Sequence, residues 1–166
     1  THVVRGEDHV TNSGAQIEIF RALGAEPPEM AHMPLLIGAD GQGLSKRLGS
    51  LSVDQLHEEG FEPMAISSLL SKLGTSDPVE ARASLDELVK EFSFSKIGRA
   101  PARFDEKELH NLNAAITHAL TFETVKPRLA KLANGDKATP EFWDVIRGNL
   151  TSVQEAGLWL TVVYGG

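Results

Sequence analysis

Two short apolar runs, each followed by a polar loop, restrict most strongly what this chain can fold into. The first run, Val3-Val4, leads into the charged segment RGEDH at residues 5–9. The second run, at residues 33–37, is followed by the glycine-spaced segment GQGLSKR at residues 41–47. Both runs have the length and composition of buried strands. Charged loops after the strands of an open α/β sheet are where nucleotide sites form.

The stretch between the two runs has the pattern of a helix. Ser13 and Gln16 have the spacing of a capping box, and Asn12 is a competing cap. Apolar side chains recur through residues 17–23, and Gly24 is a typical stop signal. A strand, a helix and a second strand in this order predict a βαβ unit with parallel strands.

The chain beyond residue 50 is predicted to be helical almost throughout. Capping signals recur along it, and Pro63 suits the first turn of a helix. These signals start at Ser52, Asp77, Asp105, Thr121 and Thr139. Trp143 and Trp159 are interpreted as core anchors. We therefore expect an α/β piece followed by mainly α-helical domains, with helix predominating overall.

Composition excludes several classes of protein. The 166 residues include no cysteine, so neither a disulfide framework nor a thiolate metal site is expected. The six histidines lack ligand spacing, and no protein metal site is predicted. There is no apolar run long enough for a membrane helix, and we expect a cytoplasmic protein. The net charge of −7 argues against binding nucleic acid over the whole surface and leaves local basic patches.

Three segments in order resemble one family. They are THVVRGEDH at residues 1–9, LSKR at 44–47 and APARFD at 100–105. Together they resemble the second half of the catalytic domain of class I aminoacyl-tRNA synthetases, and within them the bacterial glutamyl-tRNA synthetases. The likeness is good to about residue 113 and weaker beyond. Since the chain has no initiator Met and stops after an apolar patch at 162–164, we expect an internal fragment rather than a complete protein released from a tag.

The resemblance implies that Ser45, Lys46 and Arg47 are catalytic. LSKR is similar to the signature loop of the class, which closes over ATP and places Lys46 on the phosphates. Cations there meet the negative charge that develops as an adenylyl group is transferred. Gly43 stands where many synthetases carry a further lysine, and Arg47 is expected to compensate. Without the family pattern, Lys46-Arg47 would be interpreted as a solvated surface pair.

The first segment is expected to bind the substrates. The resemblance places Arg5 on the glutamate, where a guanidinium can hold a carboxylate with two hydrogen bonds. A structural ion pair with Glu7 or Asp8 is the alternative. Asp8 is expected near the ATP ribose and His9 near the adenine.

Leu35 and Leu36 precede the loop in the sequence. The family hydrogen-bonds adenine through the main chain here, while the two side chains themselves are interpreted as core. Both interpretations hold together.

The resemblance also implies three domains. Residues 1–50 would end the Rossmann-like catalytic domain, 51–115 would form a helical connecting domain that contacts the tRNA stem, and 116–166 would begin a helical anticodon-binding domain. Arg99 and Arg103 are candidate tRNA contacts, although a solvated loop is an equal alternative.

The expected function is that of a fragment of a glutamate–tRNA ligase. ATP is expected as a substrate, with Mg²⁺ bound through its phosphates, and glutamate and tRNA as the other partners. The longer protein is expected to be monomeric, and the fragment alone to be inactive and to bind tRNA weakly. The alternatives are a glutaminyl-tRNA synthetase, a relative that glutamylates a tRNA base, and a non-catalytic helical module that binds RNA or protein.

Overall fold

A computed structural model of the protein describes residues 1–38, 41–43 and 52–165. Two compact units are present. One comprises Thr1–Arg47, Leu73–Asp77 and Ser93–Phe104, and the other comprises Leu48–Lys72, Pro78–Phe92 and Asp105–Gly166. The units are discontinuous in sequence and do not coincide with the three predicted domains, which remain a prediction.

The first unit opens with the predicted βαβ arrangement. Strand β1, His2–Gly6, pairs in parallel with β2, Glu29–Met33. A 3-10 turn at Glu7–His9 continues directly into helix α1, Val10–Ala22, which connects the strands. Gly24 follows the helix with a φ of +70°, a conformation that glycine adopts without a steric cost. The parallel pairing confirms the βαβ prediction.

The predicted second strand is two strands. Residues 29–33 pair with β1, and a separate strand β3, Leu36–Ile37, pairs in parallel with β4, Ala102–Arg103. The single strand predicted at 33–37 is therefore wrong. Pro34 lies at the break, where its missing N–H cannot continue a ladder.

A segment distant in sequence completes the first unit beside β3. The Pro34 ring lies against Gly74, where an added Cβ would come within 2.7 Å of it. Gly74 has a φ of +76° and accepts a 2.7 Å hydrogen bond from the amide of Gly98. An ion pair of 2.8 Å joins Lys96 Nζ to Asp77 Oδ2. Asp77 is therefore part of a tertiary contact.

The second unit is helical in its described residues. Its helices are α2 (Val53–Glu58), α3 (Pro63–Lys72), α4 (Leu85–Glu91), α5 (Glu106–Ala119), α6 (Phe122–Leu129), α7 (Pro140–Ile146) and α8 (Ala156–Tyr164). Short 3-10 turns lie at Gly135–Lys137, Arg147–Asn149 and Val153–Glu155.

Most predicted helix starts are confirmed. Ser52 caps α2, Asp105 caps α5, Thr121 caps α6 and Thr139 caps α7, each by accepting a main-chain N–H bond. The start predicted at Asp77 is wrong. Helix α4 begins at Leu85, with Ser84 as its cap.

A buried amide ties three parts of the second unit together. Asn113, in α5, is 2% exposed. Its Oδ1 accepts from the amide of Glu62 at 2.7 Å, and its Nδ2 donates to the carbonyls of Gly60 and Thr151 at 3.2 and 2.7 Å. All three bonds bridge more than 35 positions in sequence. Both ends of the amide are thus satisfied.

A cluster of ion pairs fastens the segment before α4. Glu91 accepts from Lys72 Nζ at 2.6 Å and from Arg82 Nε at 2.7 Å, and Arg82 also reaches Glu80 at 2.9 Å. Lys72 is 6% exposed. The hydrogen bonds from Lys72 and Arg82 hold the pKa of Glu91 below its ordinary value.

The C-terminal helices enclose an apolar core. Trp143 is fully buried, and its indole Nε1 donates to the carbonyl of Leu120 at 2.8 Å. Its prediction as a core anchor is confirmed. Trp159 is 37% exposed and is not a member of this buried cluster, so the same prediction for it is wrong. The other buried members are Val125, Leu129, Phe142, Ile146, Leu150, Val153, Ala156 and Leu160.

The described helices include none that is both long and apolar enough to cross a bilayer.

Candidate active site at the ends of the first two strands

The register of the first sheet places Arg5 beside His32. The two residues are partners in the parallel ladder, one position before the strands end at Gly6 and Met33. Partner residues of parallel strands project to the same face, and Met30, two positions before His32, lies on that face too. Ser13 of α1 contacts both Arg5 and His32, so the helix covers this face.

Contacts fix one side of the Arg5 guanidinium. Nη2 donates to the hydroxyl of Ser13 and to Met30 Sδ at 3.6 Å. Nε is buried without a hydrogen-bond partner among the described residues. Within this part of the chain neither Glu7 nor Asp8 forms an ion pair with Arg5, so the alternative of a local pair is not realised there. The charge therefore stays available to a carboxylate.

Ser13 was predicted as a helix cap, and that prediction is wrong. The 3-10 turn at Glu7–His9 leads into α1 at Val10, so Ser13 is the fourth residue of α1 and is 6% exposed. Its Oγ lies 3.1 Å from the carbonyl oxygen of His9, one turn back, and 2.7 Å from His32 Nε2. Bonding to the preceding turn is the usual use of a serine hydroxyl within a helix.

The last residue of β1, Gly6, is closely packed against the residues that follow it in the chain. A Cβ added at Gly6 would lie 2.4 Å from Asp8 Oδ1 and 3.4 Å from Leu35 Cδ2, so this position has no room for a side chain. Asp8 Oδ2 lies 3.8 Å from His9 Nε2, and both side chains are about half exposed. A carboxylate and an imidazole are thus accessible just after the end of β1, and their role in a nucleoside site remains a prediction.

Leu35 and Leu36, which are predicted to bind adenine through the main chain, lie at the start of β3. The carbonyl of Leu35 accepts from the amide of Ala102 at 2.9 Å, and Leu36 is paired with Ala102. A base would therefore use other main-chain groups here. The Leu35 side chain is 43% exposed, so its interpretation as plain core is wrong, whereas Leu36 is half-buried.

The glycine loop starts directly after β3. The amide of Gly38 donates to the carbonyl of Gln42 at 2.8 Å, and Gly43 bridges to Ile37. Gly41 has a φ of +78°, which only glycine adopts readily. Ser45, Lys46 and Arg47 lie outside the described residues, and their catalytic role remains a prediction.

Arg99 and Arg103 are both exposed. Arg103 belongs to β4 and pairs with Ile37 of β3, and Arg99 lies in the preceding loop. Their contact with tRNA remains a prediction.

Sequence reasoning missed three residues around Arg5, namely Ser13, Met30 and His32. The signal was present as the alternation of Met30 and His32 in a strand parallel to β1. The apolar pattern hides it, because it favours a strand at residues 33–37, four residues after the observed strand, and a helix cap at Ser13.

The sequence of this chain is similar to known proteins over most of its length. The family "tRNA synthetases class I (E and Q), catalytic domain" matches residues 1–111. The chain belongs to this family.

Two relatives are glutamate–tRNA ligases. The chain is 64% identical over 165 residues to "Glutamate--tRNA ligase 2" of Hyphomonas neptunium and 54% identical to "Glutamate--tRNA ligase" of Azospirillum brasilense. These matches cover 99% of the chain and 37% and 36% of the relatives. The chain thus spans a little over a third of their length.

A solved structure shares the fold. The crystal structure of a glutamate tRNA ligase from Elizabethkingia meningosepticum, in complex with its amino acid, matches with a TM-score of 0.76 and 26% identity. The match covers 93% of this chain and 36% of that one. The α/β start of this chain is therefore part of a class I synthetase fold.

Proposed function

We propose that this chain carries part of the active site of a glutamate–tRNA ligase, acting within a longer protein. The observation that carries the proposal is Arg5. Its guanidinium lies at the carboxyl end of a parallel strand, without a carboxylate partner among the described residues. The names of the similar proteins support the same activity.

The charge of Arg5 favours glutamate over glutamine as the substrate. A guanidinium can hold the side-chain carboxylate of glutamate with two parallel hydrogen bonds between opposite charges, whereas the glutamine side chain is neutral and has one acceptor oxygen. A glutamine side chain would also present an amide N–H₂ group, which has no acceptor on a guanidinium. This distinguishes the proposed enzyme from a glutaminyl-tRNA synthetase.

The proposed reaction has two steps. A carboxylate oxygen of glutamate attacks the α-phosphorus of ATP and pyrophosphate leaves. A hydroxyl at the 3′ end of the tRNA then attacks the activated carbonyl, and AMP leaves. Lys46 and Arg47, with Ser45, would stabilise the charge that develops on the phosphates in the first step.

The nucleoside would lie between the two strand ends. We assign the ribose to Asp8, whose exposed carboxylate accepts hydrogen bonds, and the adenine to His9 and to main-chain groups around Leu35 and Leu36. Gly43 would leave its main chain accessible beside the phosphates.

Mg²⁺ is proposed to arrive on the ATP phosphates. The described residues hold no group of three or more His, Cys, Asp or Glu side chains that could bind a metal. When bound, the ion would neutralise phosphate charge, while the side chains of this protein orient the reacting groups.

Our proposal extends to the domains and partners. Residues 51–115 would form the connecting domain that contacts the tRNA stem, with Arg99 and Arg103 on the nucleic acid, and residues 116–166 would begin the anticodon-binding domain. The longer protein is proposed to be a cytoplasmic monomer.

An aminoacylation assay tests the proposal. The full-length protein that contains this chain is incubated with ATP, unfractionated bacterial tRNA and either labelled glutamate or labelled glutamine. We expect charging with glutamate and at least a hundredfold lower kcat/KM for glutamine, roughly the discrimination that a buried charged contact provides. Preference for glutamine, or RNA binding without any charging, would contradict the proposal.

A further inference from the structure

We infer that Ser13 and His32 are positioning residues that anchor Arg5 through Nη2 and so direct Nη1 toward the carboxylate of the amino-acid substrate. The inference deepens the proposed function and rests on it. It assigns a task to residues whose side chains need not touch the substrate.

The first step is the allocation of the guanidinium hydrogens. Nη2 carries two N–H groups, and it has two protein partners, Ser13 Oγ and Met30 Sδ. Nη1 makes no hydrogen bond to any residue that the structure describes. The protein therefore holds one end of the guanidinium, and the other end has two donors left for a carboxylate.

The second step is the proton count at Ser13. Its hydroxyl has one donor and two acceptor sites. Arg5 can only donate to it, and the His9 carbonyl, 3.1 Å away, can only accept from it. The remaining contact, 2.7 Å to His32 Nε2, is satisfied only if that nitrogen carries a proton and donates. All three contacts are then hydrogen bonds, with His32 protonated on Nε2.

The third step is the rigidity of the support. Ser13 is nearly buried within α1, and His32 is held in β2 as the ladder partner of Arg5. A long arginine side chain has many rotamers, and ordering it costs free energy when a ligand binds. Anchoring Nη2 in advance removes part of that cost. Loss of the anchor should therefore weaken glutamate binding and leave the nucleotide alone.

The test compares variants of the full-length protein in the aminoacylation assay. Ser13→Ala removes the hydroxyl but suits a helix, Ser13→Thr keeps the hydroxyl, and Thr11→Ala removes an exposed hydroxyl from the same helix. We expect Ser13→Ala to raise the KM for glutamate about tenfold, as for a hydrogen bond to a charged group, with the KM for ATP changed less than about twofold. Ser13→Thr should restore most of the loss, and Thr11→Ala should behave as wild type.

A double-mutant cycle shows whether Ser13 acts through Arg5. If it does, Ser13→Ala should change the glutamate KM much less in an Arg5→Lys background than in the wild type. An equal rise in both backgrounds would overturn the inference. So would equal rises in the KM values for glutamate and ATP, or a loss that threonine fails to rescue.

His32→Gln and His32→Phe provide a second route. Glutamine can place an amide N–H near the position of Nε2, whereas phenylalanine cannot donate. The phenylalanine variant should raise the glutamate KM severalfold more than the glutamine variant, and equal effects would contradict the proton assignment.

The two proposals fail differently. If the wild-type protein does not charge tRNA with glutamate, the proposed function is wrong. If the wild type is active and Ser13→Ala leaves the glutamate KM unchanged, the activity stands and the positioning role is wrong.

Discussion

The βαβ segment at residues 1–38 and the helices at residues 122–164 use their apolar side chains in opposite ways. The first segment, which the structure describes throughout, has Ser13 as its sole buried side chain, and Val4, Ile19 and Leu23 are more than half exposed. The second encloses nine buried core residues, Trp143 among them. The segment with the candidate chemistry thus has little core of its own. Site geometry there depends on single polar contacts, whereas the helices depend on packing.

Hydrogen exchange on the 166-residue chain tests this contrast directly. Amides in a buried core exchange only through large openings, whereas weakly packed segments open locally at low cost. We expect amides of α7 and α8 to exchange at least about a thousandfold more slowly than those of β1 and β2. Equal protection in the two regions of a monomer would show that the difference in burial has no energetic counterpart.

Truncation of Trp143 should produce the largest loss of stability. Trp143→Ala removes a fully buried indole and its hydrogen bond to Leu120, and should cost about 3–5 kcal/mol of unfolding free energy. Thermal and urea unfolding measure it. The control is Val145→Ala in the same helix, whose side chain is 76% exposed and whose truncation should cost less than about 1 kcal/mol. Similar losses in the two variants would contradict the core described here.

Lys46→Ala in the full-length protein should have the opposite effect to Trp143→Ala. It should lower enzymatic activity and leave the unfolding free energy unchanged. Loss of a cation that acts on transition-state charge costs roughly 3 kcal/mol, or about a hundredfold in kcat. ATP–pyrophosphate exchange in the presence of tRNA measures it, with the melting temperature as the control. An unchanged exchange rate would remove Lys46 from the catalytic loop.

Arg5→Lys should have a smaller effect, confined to one substrate. Lysine keeps the charge but cannot be anchored by one nitrogen while another binds the substrate. The KM for glutamate should rise about tenfold or more and that for ATP should change little. A rise in the ATP value alone would move Arg5 to the nucleotide site.

Acid should weaken the second unit slightly through Glu91. Hydrogen bonds from Lys72 and Arg82 lower its pKa in the folded state below the ordinary value of 4.5. A lowered pKa means that the stabilisation is complete above the unfolded pKa and is lost as the pH falls through the folded pKa. Below about pH 4.5 the stability difference between wild type and Glu91→Gln should therefore shrink in urea unfolding. A difference that stays constant down to about pH 2.5 would argue against this linkage.

Local signals predicted local structure well. Capping residues such as Ser52, Thr121 and Thr139 act within one helical turn, so their sequence pattern contains nearly all the information needed. The prediction that Asp77 starts a helix failed because its carboxylate pairs with Lys96, 19 positions away, which no local pattern indicates. The prediction of Trp159 as a core anchor failed because size and hydrophobicity do not determine which side of a helix faces the core.

In the candidate site, too, residues close in sequence were predictable, and residues brought together by tertiary structure were not. Arg5, Asp8 and His9 are close in sequence, and the family resemblance placed them together. His32 lies beside Arg5 because the β1–β2 register aligns residues 27 positions apart, and Ser13 contacts Arg5 because α1 packs on the same face. Register depends on tertiary pairing, and a strand misplaced by a few residues hides such partners.

The buried amide of Asn113 has a consequence for the order in which the chain folds. During synthesis its carbonyl oxygen can bond to Glu62 as soon as α5 packs on α3, but its Nδ2 bond to Thr151 requires 38 further residues. Until Thr151 has emerged from the ribosome, that part of the amide must keep a water molecule or another substitute partner. Closing so long a loop is a slow, entropically costly event. The second unit is therefore expected to reach its final packing late, after α7 has formed. A nascent chain stalled before residue 151 should still be cleaved by protease around Gly60.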